Sequence, residues 1–440
     1  LDAQTGAETG TNDQRLTYTG ADADHLFYAY SPSITYNSTN DEFLVVWYGT
    51  DHREYSTFDH SDSQVYGKRI DAATGNISGQ TTIISAYPWL NYSSDEAYTP
   101  DVVYNSTDNQ YLVVWRGSDY ILDEMDYEFE IYGQIIDDTL GKIGTKFYIS
   151  QMGGTGASIA EEAKHPAVAY DPTGNFYLVV WSGEENIYQT GEKFDIHGQF
   201  ISAAGTEIGP DDFRISDMGT GVDYDGVEPD VAYNSTDGTF HVVWSANDDA
   251  GGMISNEEEI FHRIITANGI MPAPAQRISD MGGVGNTGAY ASRPSIAYNS
   301  TNNDLLVVWS STDPEYPGLD YYEREIWGQR LDGSGVEIGA NDFRISDMGP
   351  DGDANHIASG AQVVYNPTDN EYLVAWSGDN TLGTQFTIRE DEVYAQRIDG
   401  ATGAEIGIND QRVSDMGPDL DHQYDASSAG VAYSVGSDTY

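Results

Sequence analysis

One segment, residues 100–115 (PDVVYNSTDNQYLVVW), returns in recognisable copies along the whole chain. The copies end in tryptophans that lie 63 to 68 residues apart: Trp47, Trp115, Trp181, Trp244, Trp309 and Trp376. A seventh copy begins at Gly430, so seven repeat starts are visible. Self-similarity at such a period indicates a solenoid, a propeller or another array, because each copy forms one supersecondary unit.

The residue pattern of each repeat predicts four short strands separated by turns. In the fifth repeat these are residues 294–298, 305–309, 325–331 and 342–346. The second is an apolar run rich in β-branched residues, which is typical of a strand covered on both faces. The Gly-rich segment 332–335 is typical of a hairpin turn between the third and fourth strands.

This pattern predicts an all-β fold, a seven-bladed β-propeller of four-stranded antiparallel blades with roughly 65 residues per repeat. A single domain over residues 1–440 is expected. Its blades are predicted at 33–85, 101–150, 166–216, 230–279, 295–346 and 362–414, with an incomplete closing blade made of 429–440 and 1–18. The chain resembles the secreted-type seven-bladed propellers at the superfamily level.

The two ends of the sequence fall inside the same predicted blade. Residues 1–6 match the turn between third and fourth strands at 398–403, and Tyr440 matches Tyr372 at the start of a second strand. Two interpretations are open. The sequence is a piece of a longer polypeptide, which we favour, or a neighbouring molecule donates the remaining strands and so forms a polymer.

Composition limits the partners. The chain carries 72 acidic and 19 basic residues, a formal charge of −53, which argues against nucleic acid and anionic membranes as partners. It has no cysteine, so disulfides and thiolate sites are excluded. No apolar run is long enough to insert into a membrane. Abundant Tyr, Gly, Asp, Ser and Thr with little Lys is typical of extracellular or halophilic β proteins, and we expect an extracellular or cell-surface location.

Acidic residues recur on both shoulders of the long loop between the second and third strands, where their carboxylates are expected to approach each other. A further set lies in the loops that cross between blades. Such clusters either bind a hard cation, most naturally Ca²⁺, or remain solvated and apart. The candidate metal ligands are Asp119, Glu130, Asp313, Glu325, Asp379, Glu392, Asp351, Asp353, Asp419 and Asp421. No other cofactor is implied.

Two further groups of residues are candidates for contact with other molecules. Loop aromatics suited to stacking on sugars are Trp89, Tyr120, Tyr316 and Tyr321. The acceptor pattern for N-glycosylation occurs at Asn37, Asn105, Asn234 and Asn299, although Asn-Ser-Thr-Asp is also good turn chemistry.

Three functions fit this sequence, and the uniform repeat ranks them. The first is a non-catalytic extracellular structural or adhesive module that self-associates into a filament, sheath or surface assembly. The second is a propeller that binds a polysaccharide or a protein. The third is a propeller-type glycoside hydrolase or lyase, which needs two carboxylates with distinct environments. Since no blade stands out by a distinctive acid, His or Arg set, the sequence favours the first and predicts no enzyme.

Overall fold

The computed structural model describes residues 1–9, 13–17, 28–50, 63–85, 96–118, 129–152, 162–184, 193–219, 225–247, 257–283, 288–313, 315–320, 322–379, 391–416 and 425–440. These residues form six four-stranded sheets, each built from consecutive antiparallel strands. The protein is therefore an all-β propeller of four-stranded blades. Within the described ranges, no helix is long and apolar enough to cross a membrane.

The chain divides into two compact units. Unit 1 comprises Leu1–Asp13 and Ser216–Tyr440, and unit 2 comprises Gln14–Ile215. Each unit contains three of the six sheets, which we number in chain order as blades one to six.

Unit 2 holds blades one to three. Their strands are β1 Ala29–Asn37, β2 Glu42–Gly49, β3 Gln64–Asp71, β4 Ile77–Ile83, β5 Glu96–Asn105, β6 Gln110–Ser118, β7 Glu130–Asp137, β8 Lys142–Tyr148, β9 Ala163–Asp171, β10 Phe176–Glu184, β11 Phe194–Ser202 and β12 Glu207–Arg214.

Unit 1 holds blades four to six. Their strands are β13 Gly226–Asn234, β14 Thr239–Ala246, β15 Glu259–Thr266, β16 Gln276–Arg277, β17 Tyr290–Asn299, β18 Asp304–Thr312, β19 Arg324–Asp332, β20 Glu337–Arg344, β21 Ala358–Asn366, β22 Glu371–Gly378, β23 Glu392–Asp399 and β24 Glu405–Arg412.

The prediction of seven blades is wrong, because the seventh repeat start builds no four-stranded sheet. In unit 1, Asp2 and Ser434 each form an isolated antiparallel bridge with Thr439. The N-terminal amine of Leu1 also donates to the carbonyl of Tyr440 at 2.8 Å. Within the described residues this pairing is too short to count as a blade, so six blades are formed.

Burial of the second strand explains why the repeat period is so regular. All nine residues of β18 are buried, and Trp309 at its centre is fully inaccessible to solvent. In the fifth blade, Val308 of this strand packs with Tyr372 and Trp376 of the next blade. An apolar second strand in each repeat therefore supplies the core between neighbouring blades, as its composition predicted.

Neighbouring blades within a unit are also joined by polar side chains at the turn after each first strand. The side-chain oxygen of Asn37 accepts hydrogen bonds from the backbone of Thr39 at 2.9 Å and Asn40 at 3.0 Å. Its amide nitrogen donates across to Asn109 at 3.1 Å and to the hydroxyl of Tyr111 at 2.9 Å. The Asn-Ser-Thr sequence thus closes a turn and links two blades at once.

A bulge interrupts every first strand near its start. The register shifts in all six pairings of first and second strands. One residue of each bulge has a positive φ, between 44° and 67°: Ser31, Thr99, His165, Glu228, Arg293 and Gly360. A bulge bends the strand and redirects a side chain. The side chains of these residues therefore do not follow the alternation between the two faces of the sheet. The first strands begin three to five residues before the predicted blade starts for the same reason.

Candidate active site

Two positions in the blade differ between repeats while their surroundings stay the same. The first is the bulge residue, which is Glu228 in blade four and Arg293 in blade five. The second lies near the start of the third strand, immediately before an acidic or amide residue such as Glu259. Across the six blades it is Ser63, Phe129, Phe194, Glu258, Arg324 and Asp391. Blade four therefore carries glutamate at both positions, and blade five carries arginine at both.

In unit 1 these four side chains line one cavity of about 300 Å³. The rest of its lining comes from Val227 and three serines, Ser292, Ser310 and Ser359. The bulge residue of blade six is Gly360, where an added Cβ would meet open space. The absence of a side chain there leaves room beside Ser359. The cavity is thus small, polar and lined by both signs of charge.

Contacts with blade five hold the two glutamates in place. The carbonyl of Glu258 accepts a hydrogen bond from the backbone of Ala291 in the next blade at 2.8 Å. Glu228 lies on its bulge with φ 54° and accepts from Nε of Arg293 at 3.3 Å. Burial raises the pKa of Glu258, and the neighbouring carboxylates of Glu228 and Asp225 raise it further. One carboxyl group is thus biased towards its protonated form beside another that is ion-paired.

The arginines are also fixed by their neighbours. The backbone N–H of Arg293 donates to Oγ of Ser245 at 3.1 Å, which stabilises the bulge. Arg324 donates from Nη2 to the hydroxyl of Tyr290, and its guanidinium lies 5.3 Å from the centre of that ring. The four charged groups of the cavity therefore come from adjacent blades and have defined positions.

Unit 2 carries aromatic rings at corresponding strand positions. Tyr28 and Tyr30 stack with ring centres 5.2 Å apart, and Tyr48 and Tyr98 meet edge to face at 5.4 Å. Phe129 lies 6.0 Å from Tyr98 and accepts the guanidinium of Arg116 on its face at 3.9 Å. Tyr30 is 52% exposed, so part of this aromatic cluster faces solvent.

The third-strand acids that were predicted as metal ligands serve the blade itself. Glu325 is fully buried, and its carboxylate accepts from Oγ of Ser346 and from the backbone of Met348 at 2.9 Å. Nη2 of Arg344 donates to it at 2.6 Å. Glu392 has the same three partners in blade six, and Glu130 accepts from Ser150. These acids therefore hold the segment that follows the fourth strand, such as residues 346–348, against the third strand.

The buried hydrogen bond of Ser346 gives a test of this role. Replacing Ser346 by alanine is expected to lower the free energy of unfolding by about 1 to 3 kcal/mol, because it leaves a buried carboxyl oxygen without a partner. Ser334→Ala is the matched control, since its hydroxyl bonds Asp332 at an exposed turn. Chemical denaturation of both variants checks this, and equal losses in the two would contradict it.

The remaining described candidates are distributed over separate contacts. Asp313 accepts from the backbone of Glu315 at 3.0 Å, and burial raises its pKa. Asp351 pairs with Arg344 at 2.8 Å. Asp353 accepts from the side chain of Asn355 at 2.5 Å. Asp379 is buried, and its backbone N–H donates to the carbonyl of Ile357 at 3.1 Å. In the ranges that the structure covers, no group of three or more His, Cys, Asp or Glu is placed to hold a metal ion.

The residues predicted to contact sugars or to carry glycans differ in their exposure. Tyr316 is 39% exposed and packs edge to face on Trp327 with ring centres 5.2 Å apart. The four glycosylation candidates, Asn37, Asn105, Asn234 and Asn299, are fully buried, and their amide nitrogens donate hydrogen bonds. Six predicted residues lie outside the described residues: Trp89, Asp119, Tyr120, Tyr321, Asp419 and Asp421.

Sequence reasoning missed the four charged residues of the cavity. It searched for acids that recur with the repeat, whereas Glu228, Glu258, Arg293 and Arg324 stand where the repeat does not preserve residue type. A signal was present in the sequence: at these two positions the charge changes sign between blade four and blade five.

The chain is similar to solved structures at low sequence identity. No family model and no curated protein matches the chain. Among solved structures, similar chains include a thermostable family-43 glycoside hydrolase, with 17% identity and a TM-score of 0.40 over 74% of this chain and 97% of that chain. Another is an α-L-arabinofuranosidase from Fusarium graminearum, with 12% identity and a TM-score of 0.48 over 84% and 93%. A third is a family-43 endo-arabinanase from Bacillus licheniformis, with 15% identity and a TM-score of 0.35 over 75% and 99%. The propeller fold itself is established by the six four-stranded sheets of this structure.

The predictions of a non-catalytic structural module and of no enzyme are corrected. The solved structures named above are two family-43 glycoside hydrolases and an α-L-arabinofuranosidase. The prediction of no enzyme depended on the absence of a blade with a distinctive acid or Arg set. Blades four and five do carry such sets, because their glutamate and arginine pairs line one cavity.

Proposed function

We propose that the protein is a glycoside hydrolase whose catalytic carboxyl groups are Glu258 and Glu228. The observation that carries this proposal is that both line one cavity while burial and neighbouring carboxylates raise the pKa of Glu258. Glycosidases need one carboxylic acid that protonates the leaving oxygen and one carboxylate on the other side of the bond. Two glutamates with different environments supply these two forms.

The roles follow from the surroundings of each group. Glu258, whose raised pKa keeps it protonated to higher pH than an ordinary glutamate, would donate a proton to the glycosidic oxygen as the bond to the leaving sugar breaks. Glu228, held by Arg293 at 3.3 Å, would act as the carboxylate that attacks the sugar or activates a water molecule. The hydroxyl groups of Ser292, Ser310 and Ser359 would bind hydroxyls of the substrate.

A polysaccharide partner and an extracellular or cell-surface location belong to the same proposal. The aromatic cluster of unit 2 supports a glycan partner, since exposed rings such as Tyr30 offer a face for a sugar. The absence of cysteine and the charge of −53 support the location. Ca²⁺ in the long loops and self-association remain predictions.

The test is a screen for hydrolysis. The purified protein is incubated with neutral, uronate-containing and sulfated polysaccharides, and new reducing ends are measured. We expect release from at least one substrate and its loss in a Glu228→Gln, Glu258→Gln double variant. Equal release by the double variant, or none from any substrate, would reject the proposal. An unsaturated product that absorbs ultraviolet light would instead indicate a lyase.

A further inference from the structure

The arginine pair of blade five is unusual for this chain. Only 19 residues are basic against 72 acidic, and most described arginines are committed to repeated contacts within blades. Arg330, for example, pairs with Asp304, and Arg397 pairs with Glu371 at 2.7 Å. Arg293 and Arg324 stand at the two non-repeated positions and line the same cavity. Their positive charge is thus concentrated where a ligand would bind.

Both guanidinium groups retain hydrogen-bond donors. Arg293 uses Nε for Glu228, its side chain is 65% exposed, and its two Nη groups have no partner among the described residues. Arg324 uses Nη2 for the hydroxyl of Tyr290, while its Nε is buried without a partner in the same set. Both arginines line the cavity, so their unused Nη donors are available to a ligand that accepts hydrogen bonds.

Neutral donors complete the lining beside these arginines. The hydroxyls of Ser292 and Ser359 have no hydrogen-bond partner in the part of the chain that the structure describes, and both line the cavity. Guanidinium and hydroxyl donors together match a planar carboxylate or a sulfate group, which offers several acceptor oxygens. A neutral sugar would offer these guanidinium groups no negative charge beyond that of Glu228, which pairs with Nε of Arg293.

We propose that the glycan bound by this cavity carries an oxyanion, as a uronate carboxylate or a sulfate ester, held by Arg293 and Arg324. This inference rests on the proposed function for its glycan, and it names the substrate class. The net charge of −53 repels such a glycan at long range. Since salt screens this repulsion more than a contact inside the cavity, association is expected to be faster at moderate than at low ionic strength.

The experiment uses the Glu258→Gln protein, so that binding is measured without turnover. Calorimetry follows three oligosaccharides of equal length: a hexuronate, a sulfated galactan fragment and a neutral galactan fragment. We expect one anionic ligand to bind, and Arg293→Gln or Arg324→Gln to weaken it by about tenfold or more. The ligand that binds decides between carboxylate and sulfate.

Arg263→Gln is the matched control. Arg263 donates to the carbonyl of Ala273 at 3.1 Å outside the cavity, and glutamine stands at this position in other blades, as at Gln329. Its affinity should not change, and the melting temperature of each variant shows whether it is folded. Preference for the neutral ligand, or unchanged affinity in both cavity variants, would overturn the inference.

The two proposals fail in different ways. Anionic binding that depends on both arginines, without hydrolysis by the unmodified protein, would reject the hydrolase and keep the oxyanion site. Hydrolysis of neutral polysaccharides that is lost in Glu258→Gln but unchanged in the arginine variants would reject the oxyanion site and keep the hydrolase.

Discussion

Replacing Glu258 by glutamine is expected to lower the rate of hydrolysis of a natural glycan by about 10² to 10⁴-fold, the usual contribution of a general acid. Glutamine keeps the size of the side chain but has no acidic proton to donate. The loss should be much smaller for an aryl glycoside with a good leaving group, because that oxygen needs little protonation. Steady-state kinetics with both substrates measure the difference.

The pH profile adds a second measure of the same role. Because burial raises the pKa of Glu258, its acid form persists to higher pH than for an ordinary glutamate, and activity should fall as pH rises through that raised value. Glu337→Gln, at an exposed position of β20, should leave rate and profile unchanged. Equal losses for both leaving groups, or an unchanged alkaline limb in Glu258→Gln, would remove Glu258 from the role of acid.

Acid is expected to destabilise blade four through a pair of buried histidines. His241 and His262 are 0% and 2% exposed, and Nδ1 of His241 lies 3.0 Å from Nε2 of His262. Burial lowers the pKa of His241 from 6.5 to about 4, against the weaker influence of Asp237 and Asp332. Burial and the charge of His241 lower the pKa of His262 as well.

The direction of the effect follows from these shifts. Between pH 6.5 and about 4 the unfolded chain binds protons that the folded pair excludes, so stability falls as pH falls. His241 alone contributes on the order of 3 kcal/mol over this window. Thermal unfolding at pH 7 and pH 4.5 measures the loss.

The repeat itself supplies the variant that should remove this sensitivity. Leucine stands in place of His241 in the other five blades, as at Leu306, and glycine stands in place of His262 in four of them, as at Gly328. The double variant His241→Leu, His262→Gly should lose less stability in acid than the unmodified protein. His197→Tyr is the control, since tyrosine occupies its position at Tyr132, and it should keep the acid loss. An undiminished loss in the double variant would contradict this account.

The sequence was sufficient for the blade but not for its count. Apolar second strands ending in tryptophan, such as Trp309, predicted the core, and their burial confirms it. The seventh start, at Gly430, resembles the other copies, yet its pairing stops at isolated bridges around Thr439. Sequence similarity marks where a strand begins, whereas a blade needs four strands that hydrogen-bond to their neighbours along their length.

The cavity was hidden for a different reason. Glu228 and Arg293 each precede a proline, where an extended backbone is the usual expectation, and the structure gives them φ values of 54° and 55°. That conformation belongs to the bulge, and in Arg293 it is held by a hydrogen bond from the backbone N–H to Ser245 on the second strand of the preceding blade. A comparison of the repeats marks these four residues, but the sequence alone does not specify which way a bulged residue points, so their convergence in one cavity is visible only in the structure.

The most direct test is the structure of the Glu258→Gln protein in complex with an oligosaccharide that this variant binds in the calorimetry experiment. The account predicts a sugar in the cavity of unit 1, with the glycosidic oxygen within hydrogen-bond distance of residue 258 and Glu228 beside the same sugar ring. An oligosaccharide bound elsewhere, with this cavity empty at saturating ligand, would contradict the assignment of the active site.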